Sequence, residues 1–211
     1  RAEQKGTGRW AVIEAQRLGV SAETLEAAVG ARVLSSLSQQ RATAEKLYDL
    51  PRHPLALDRA AAIPKLEYAL FAGKIMAYAQ GFAVMAHASE QNVWNLPLAT
   101  IASIWRAGCI IRSQFLDTIT ETFRAEEGML NLLLAPRFVT MMKENHQGLR
   151  EIVSHAALAG LPVPALSAAL ASFDGYHQAR GSANLIQGLR DFFGSHSFER
   201  IDKVGPQHGM W

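Results

Sequence analysis

The sequence predicts an all-α protein, a multi-helix domain with long central helices. Helical periodicity, with apolar residues three and four positions apart, runs through most of the 211 residues, and the alternation typical of β-strands is nearly absent. Prolines and glycines separate the periodic stretches, as they do where helices begin or end. With 49% hydrophobic and 19% charged residues, the chain has the composition of a well-buried globular protein.

The first two helices are expected to form an antiparallel hairpin. Periodicity predicts a helix over residues 8–18 that stops at Gly19, and Ser21 is predicted to cap a second helix that continues to about Tyr48. Ten residue steps separate Gly8 from Leu18 and Ala22 from Arg32, about 15 Å in each helix. A tight turn between the helices would therefore return Arg32 to the level of the chain's first loop.

Arg32 shares a helical stripe with Leu25 and Val29, so we expect its side chain to face inward. A guanidinium on an apolar stripe requires an anionic partner. That partner is either an anionic ligand or a carboxylate of the protein itself.

The later elements follow from the same signals. We predict a central helix over residues 58–90, with Pro64 near its start, after a proline-enforced loop at residues 51–54. The remaining predicted helices run from Pro97 through Phe115 and over residues 131–134, 138–160, 165–176 and 183–193, the last ending at Gly194. These elements predict a helical domain over residues 1–200 and an irregular C-terminal tail over residues 201–211.

Composition and charge exclude several classes of function. A net charge of +2 without a basic block argues against nucleic-acid binding, and a single cysteine excludes an internal disulfide and favours a reducing, cytoplasmic compartment. Seven scattered histidines have no metal-ligand spacing, so no metal site is predicted. The apolar stretch at residues 66–88 is interrupted by charges and indicates a buried helix, with no membrane association. The chain begins without methionine, which suggests a piece of a longer protein.

Two segments have the chemistry of an anion site. Lys5-Gly6-Thr7-Gly8 opens the first helix, where glycines and unpaired amides can approach an anion, although Thr7 is equally an ordinary cap. Arg190 and His196 flank the end of the last helix. The alternatives are a cation that complements the helix dipole and a solvated loop histidine.

Several segments, in order, resemble the C-terminal helical domain of the 6-phosphogluconate dehydrogenase family. They are QKGTGRW at residues 4–10, ARVLSSL at 31–37, YAQGF at 78–82, IWRAGCIIR at 104–112, SFDGY at 172–176 and NLIQGLRDFFGSH at 184–196. The resemblance covers nearly the whole chain.

The resemblance implies oxidation and decarboxylation of 6-phosphogluconate to ribulose 5-phosphate and CO2. Lys5, Thr7 and Arg32 match residues that bind the substrate phosphate, and Arg190 and His196 match residues supplied by the partner of a homodimer. NADP would bind mainly to an N-terminal Rossmann domain that this chain does not contain. The family's base lysine and acid glutamate also lie upstream, so no catalytic residue is assigned here and these residues alone are expected to be inactive.

Two other functions remain open at this level. A related β-hydroxyacid dehydrogenase would act on an unphosphorylated acid and would not need the four cationic side chains. A non-catalytic helical dimerisation module would pair those cations internally and would not respond to phosphate.

Overall fold

The computed structural model describes residues 6–126 and 128–211, and helices account for 69% of the protein. This confirms the all-α prediction. A 3-10 turn at Leu132–Leu134 precedes the seventh helix. The α-helices are, in chain order, α1 (Thr7–Leu18), α2 (Glu23–Ser36), α3 (Ser38–Tyr48), α4 (Arg59–Asn92), α5 (Leu98–Trp105), α6 (Phe115–Ala125), α7 (Pro136–Leu158), α8 (Pro164–Tyr176) and α9 (Ala183–Gly194).

The predicted central helix is confirmed as α4, which packs along α7. The Asp58 side chain caps it by accepting a hydrogen bond from the Ala61 amide at 3.0 Å, and the helix continues through Pro64. Gly148 of α7 lies so near α4 that an added Cβ would be 2.5 Å from the Cβ of Tyr68. The two helices therefore meet backbone to backbone at this point.

By length and composition, α4 could cross a membrane, and it alone among the described helices meets that criterion. However, 61% of its most apolar window is buried inside the protein. It is therefore the core helix of the surrounding bundle, as its central position predicts.

The first hairpin forms as predicted, with one correction at the start of α2. Gly19 ends α1 in the left-handed conformation, at φ 66°. Ser21 is not the cap of α2, because Ala22 occupies that position and the Ser21 hydroxyl donates to Glu23 instead. The second helix also does not run unbroken to Tyr48, since the backbone leaves the helical conformation at Leu37.

The helix predicted from Pro97 through Phe115 is divided into α5 and α6. Gly108, at φ 80°, gives the intervening loop a backbone conformation that a continuous helix excludes. Two side chains of α4 hold this loop: Lys74 donates to the Ser113 hydroxyl and Tyr78 to the Ile111 carbonyl, each at 2.5 Å. The periodic pattern correctly predicted helical structure at Leu98–Trp105 and at Phe115, but the prediction that one helix runs continuously between them was wrong.

The chain divides into two compact units, one ending at Ser172 and the other comprising Phe173–Trp211. The predicted boundary at residue 200 instead falls within a β-hairpin formed by strands β1 (Phe198–Arg200) and β2 (Lys203–Gln207). Residues 203–207 of the predicted irregular tail therefore form a strand, while residues 208–211 have no regular secondary structure. A two-residue loop joins the antiparallel strands, a connection too short for the periodicity signal to detect.

Candidate functional site

The structure describes the predicted glycine-rich segment from Gly6 onward, and its Thr7 and Gly8 belong to α1. Gly6, at φ 97°, precedes the helix, and Thr7 is its first residue. Gly6 therefore occupies the cap position, Thr7 is not the cap of α1, and the Thr7 side chain is exposed. Lys5 lies outside the described residues.

The structure supports the predicted position of Arg32 along the hairpin, near the start of α1, but the prediction that its side chain faces inward is wrong. An added Cβ on Gly8 would lie 3.2 Å from a methyl carbon of Val29, so the start of α1 crosses α2 at this residue. Arg32 follows Val29 by three residues, about 4.5 Å further along α2. Its side chain is exposed and does not face the core, because α2 buries only Thr24, near its beginning, while its later turns extend along the surface.

A buried polar network that the sequence analysis did not predict sets the position of α2. Gln80 of α4 accepts a hydrogen bond from the Thr24 amide at 3.0 Å and donates to the Ser172 hydroxyl at 3.1 Å. That hydroxyl donates to Glu23 at 3.0 Å. Partial burial would raise the pKa of Glu23, but hydrogen bonds from Ser21, its own amide and Ser172 together lower it. The first turn of α2 is thus capped by a side chain from another helix.

In the second unit, the structure brings Arg190 and His196 to one surface pocket of about 360 Å³. Both side chains are exposed, and Arg190 donates to the amide oxygen of Gln187 at 3.2 Å. The helix ends at Gly194, but Ser195, and not the glycine, is the residue that adopts the left-handed conformation after it. The pocket is lined by Ile186, Leu189, Arg190, Phe193, Gly194 and His196.

Asp191, next to Arg190, is the second important residue that the sequence analysis missed. Its side chain is buried, and it accepts four hydrogen bonds from Ser197, His208, Gly209 and Trp211. The Gly209 amide, with the Trp211 indole and the other two donors, holds the pKa of Asp191 well below its ordinary value. An acidic residue in the last turn of a helix opposes the dipole, and this local conflict was the available signal.

The described residues offer no place for a dinucleotide of the Rossmann type. Such a site requires parallel strands joined through helices, whereas the strands in residues 6–126 and 128–211 form only an antiparallel pair. Within the same residues, no three His, Cys, Asp or Glu side chains are grouped so that they could hold a metal ion.

Comparison with known proteins gives one consistent result. The family model "6-phosphogluconate dehydrogenase, C-terminal domain" matches residues 1–211. Curated relatives called "6-phosphogluconate dehydrogenase, decarboxylating" are 45% identical over 210 residues in Escherichia coli K12 and 43% identical over 211 residues in Lactococcus lactis IL1403. Each of these matches covers 100% of this chain and 45% of the relative.

A solved structure of Plasmodium falciparum 6-phosphogluconate dehydrogenase has the same fold. It superimposes with a TM-score of 0.94 at 37% identity, covering 100% of this chain and 45% of that one. The work describing it includes that enzyme alone, with its cofactor NADP+ and with its substrate 6-phosphogluconate. The chain thus spans slightly less than half the length of the proteins it matches.

Proposed function

We propose a function for this chain from one fact: it belongs to the 6-phosphogluconate dehydrogenase family, as the C-terminal domain. The protein that contains it oxidises 6-phosphogluconate with NADP and decarboxylates it to ribulose 5-phosphate and CO2. Relatives of this name match the chain along its full length, and a structural relative binds that substrate and NADP+. We propose that the enzyme acts in the cytoplasm as a homodimer.

In this proposal the chain binds the phosphate end of the substrate. Lys5, Thr7 and Arg32 come from one subunit, and Arg190 and His196 come from its partner. The observation that carries the first group is the contact of Gly8 with Val29, which supports an approach of Arg32 to the loop that opens α1. The observation that supports the second group is the shared pocket of Arg190 and His196.

The chemistry of these groups suits a phosphate dianion. A planar guanidinium can donate two parallel hydrogen bonds to phosphate oxygens, and a lysine adds a compact charge. The amides at the start of α1 add further donors in the favourable direction of the helix dipole. The pocket beside Arg190 is lined by apolar side chains as well, among them Ile186, Leu189 and Phe193.

Oxidation and proton transfer are assigned to the part of the enzyme outside this chain. We propose that NADP and the base lysine and acid glutamate of the family belong there, and that residues 1–211 alone have no dehydrogenase activity. An assay of the isolated chain with NADP+ and 6-phosphogluconate tests this directly, since any NADPH formed above the buffer rate contradicts it.

Steady-state kinetics of full-length variants test the phosphate site. Arg32→Ala removes one charge-assisted contact, and we expect KM for 6-phosphogluconate to rise roughly 10- to 150-fold. Arg17→Ala is the matched control, because Arg17 is an exposed arginine at the opposite end of the α1–α2 hairpin and forms only a loose pair with Glu14 at 3.7 Å. The control variant should keep the native KM.

Two results would contradict the proposal. A change of less than about twofold for Arg32→Ala would remove the phosphate role. Equal turnover of gluconate and 6-phosphogluconate would favour the β-hydroxyacid dehydrogenase alternative, and a folded full-length dimer without dehydrogenase activity would favour the dimerisation module.

A further inference from the structure

We propose that Asp191 is the positioning residue for the Arg190–His196 pair, and that it acts by tying the C-terminal segment, residues 208–211, to the end of α9. This inference rests on the proposed function of that pair. It adds a residue that does not contact the substrate and determines where two residues that do contact it are held.

The Asp191 carboxylate is a saturated and buried acceptor. It is 2% exposed, and one oxygen accepts from the Ser197 amide at 2.8 Å and from His208 Nδ1 at 2.7 Å. The other oxygen accepts from the Gly209 amide and from the Trp211 indole, both at 2.8 Å. Four donors use the acceptor capacity of an ionised carboxylate, and they come from both sides of the β-hairpin.

Two of the contacts to Asp191 bracket His196. The Ser195 amide donates to the Asp191 carbonyl at 2.8 Å, and the Ser197 amide donates to its carboxylate. Ser195 and Ser197 have φ values of 51° and 57°, a left-handed conformation that residues with a side chain adopt at a steric cost. Such a conformation persists only where surrounding contacts impose it, and Asp191 supplies those contacts.

The imposed turn folds His196 back onto α9. An added Cβ on Gly194 would lie 2.8 Å from Cδ2 and Nε2 of the imidazole, so the ring rests directly on that glycine. This position makes the imidazole a wall of the pocket that Arg190 also lines. Without the turn, nothing in the geometry of α9 directs His196 toward Arg190.

Arg190 is linked to the same point through Gln187. The Gln187 side chain accepts from Arg190 and donates to the Ser197 carbonyl, at 3.2 and 2.5 Å. The Ser197 amide therefore donates to the Asp191 carboxylate, and the Ser197 carbonyl accepts from Gln187, the residue that also accepts from Arg190. One buried carboxylate orders both members of the pair.

The C-terminal segment completes the arrangement. The Trp211 indole folds over Gly209, where an added Cβ would lie 2.3 Å from the ring, and its edge packs on Phe192 with ring centres 5.7 Å apart. The segment thus closes over Asp191 and excludes water from it. Loss of this closure should loosen the pocket even though no pocket-lining residue has changed.

The test compares three variants of the full-length enzyme. Asp191→Asn turns one acceptor oxygen into a donor that faces other donors, and Trp211→Phe removes one donor but keeps a ring. Asp202→Asn is the matched control, because Asp202 is an exposed carboxylate of the same unit that pairs with Arg200 at 2.7 Å. The measurements are kcat and KM for both substrates.

We expect Asp191→Asn to raise KM for 6-phosphogluconate roughly 10- to 100-fold, with KM for NADP+ unchanged and a smaller effect on kcat. Trp211→Phe should shift the same parameter in the same direction by less, and Asp202→Asn should not shift it. An unchanged KM for NADP+ shows that the enzyme is folded. If Asp191→Asn fails to fold, the milder Trp211→Phe variant supplies the test.

A triple variant, compared with its double-variant background, separates this inference from the function on which it rests. If Asp191 acts through the pair, Asp191→Asn will add little to KM in an Arg190→Ala, His196→Ala background. The positioning role is overturned if Asp191→Asn raises KM by the same factor in that background as in the native enzyme. It is also overturned if Asp191→Asn changes both KM values and kcat in parallel. If Arg190→Ala and His196→Ala together leave KM unchanged, the phosphate function of the pair is wrong, whatever Asp191→Asn does.

Discussion

Replacing Gln80 by methionine tests whether a side chain of α4 caps α2. The Thr24 amide lies in the first turn of α2, where no residue of the same helix can accept its hydrogen bond. The Gln80 amide oxygen accepts it at 3.0 Å, and Thr24 is buried, so water cannot replace that oxygen. Methionine has nearly the shape of glutamine, and its thioether sulfur is only a weak hydrogen-bond acceptor.

The magnitude follows from the contacts that are lost. Leaving the Thr24 amide buried without an acceptor costs about 1–3 kcal/mol. Losing a helix cap costs about 0.5–2 kcal/mol, but this describes the same lost bond and is not added. Gln80 also donates to the Ser172 hydroxyl, but Ser172 is half-buried and keeps its own bond to Glu23, so the loss of that contact adds little. The more apolar methionine offsets part of the loss, and we expect the free energy of unfolding to fall by about 1–2 kcal/mol.

Equilibrium urea unfolding of the chain measures this difference. Gln147→Met is the matched control, since Gln147 is exposed and donates a hydrogen bond to Glu151 one turn away, at 3.2 Å. That pair is worth about 0.2–0.5 kcal/mol, so the control should remain close to the native stability. Equal stability of Gln80→Met and Gln147→Met would refute the tertiary cap.

Two further predictions concern packing and pH. Gly148→Ala should lower the free energy of unfolding in urea by up to about 2 kcal/mol, because the new Cβ would meet the Cβ of Tyr68 at 2.5 Å. Gly81→Ala in α4 is the control: an added Cβ there has nothing within 4 Å, so the free energy of unfolding should rise by about 1 kcal/mol. Equal effects of the two substitutions would contradict the close approach of α4 and α7. Because hydrogen bonds lower the pKa of Asp191 in the folded state, its contribution is fully present above the unfolded value and declines as pH falls below about 4. The stability difference between the native chain and Asp191→Asn, measured by urea unfolding, should therefore shrink in acid, and a constant difference would show that folding does not lower the pKa of this carboxyl.

Helix existence and most helix ends were predictable because they depend on neighbouring residues. Asp58 caps α4 through its own first turn, and Gly19 ends α1 at a positive φ that favours glycine. The errors lie where a distant contact decides the backbone. The loop between α5 and α6 is held by Lys74 and Tyr78 from α4, and no local pattern in residues 106–114 contains that information.

The residues of the candidate site likewise divide into those that local sequence features indicated and those that only tertiary contacts revealed. Lys5, Thr7, Arg32, Arg190 and His196 could be selected as cations and hydroxyls beside glycines and helix ends, and their roles in phosphate binding stay predictions. Two residues with buried hydrogen bonds at the start of α2 and the end of α9, Gln80 and Asp191, were not selected. Each is a polar residue on a helix whose partners lie far along the chain or beyond a hairpin, so its role depends on tertiary contacts.

By itself, the sequence determined that this protein is helical, where its long helices run and which family's segments it carries, because helical periodicity and capping are local properties of a chain. Only the tertiary structure decided that Arg32 is exposed, that the C-terminal tail forms a β-hairpin closed over α9, and that Arg190 and His196 line one pocket. Those outcomes depend on which surfaces meet after the helices form. A buried hydrogen bond such as those of Asp191 gains its value only once that packing excludes water.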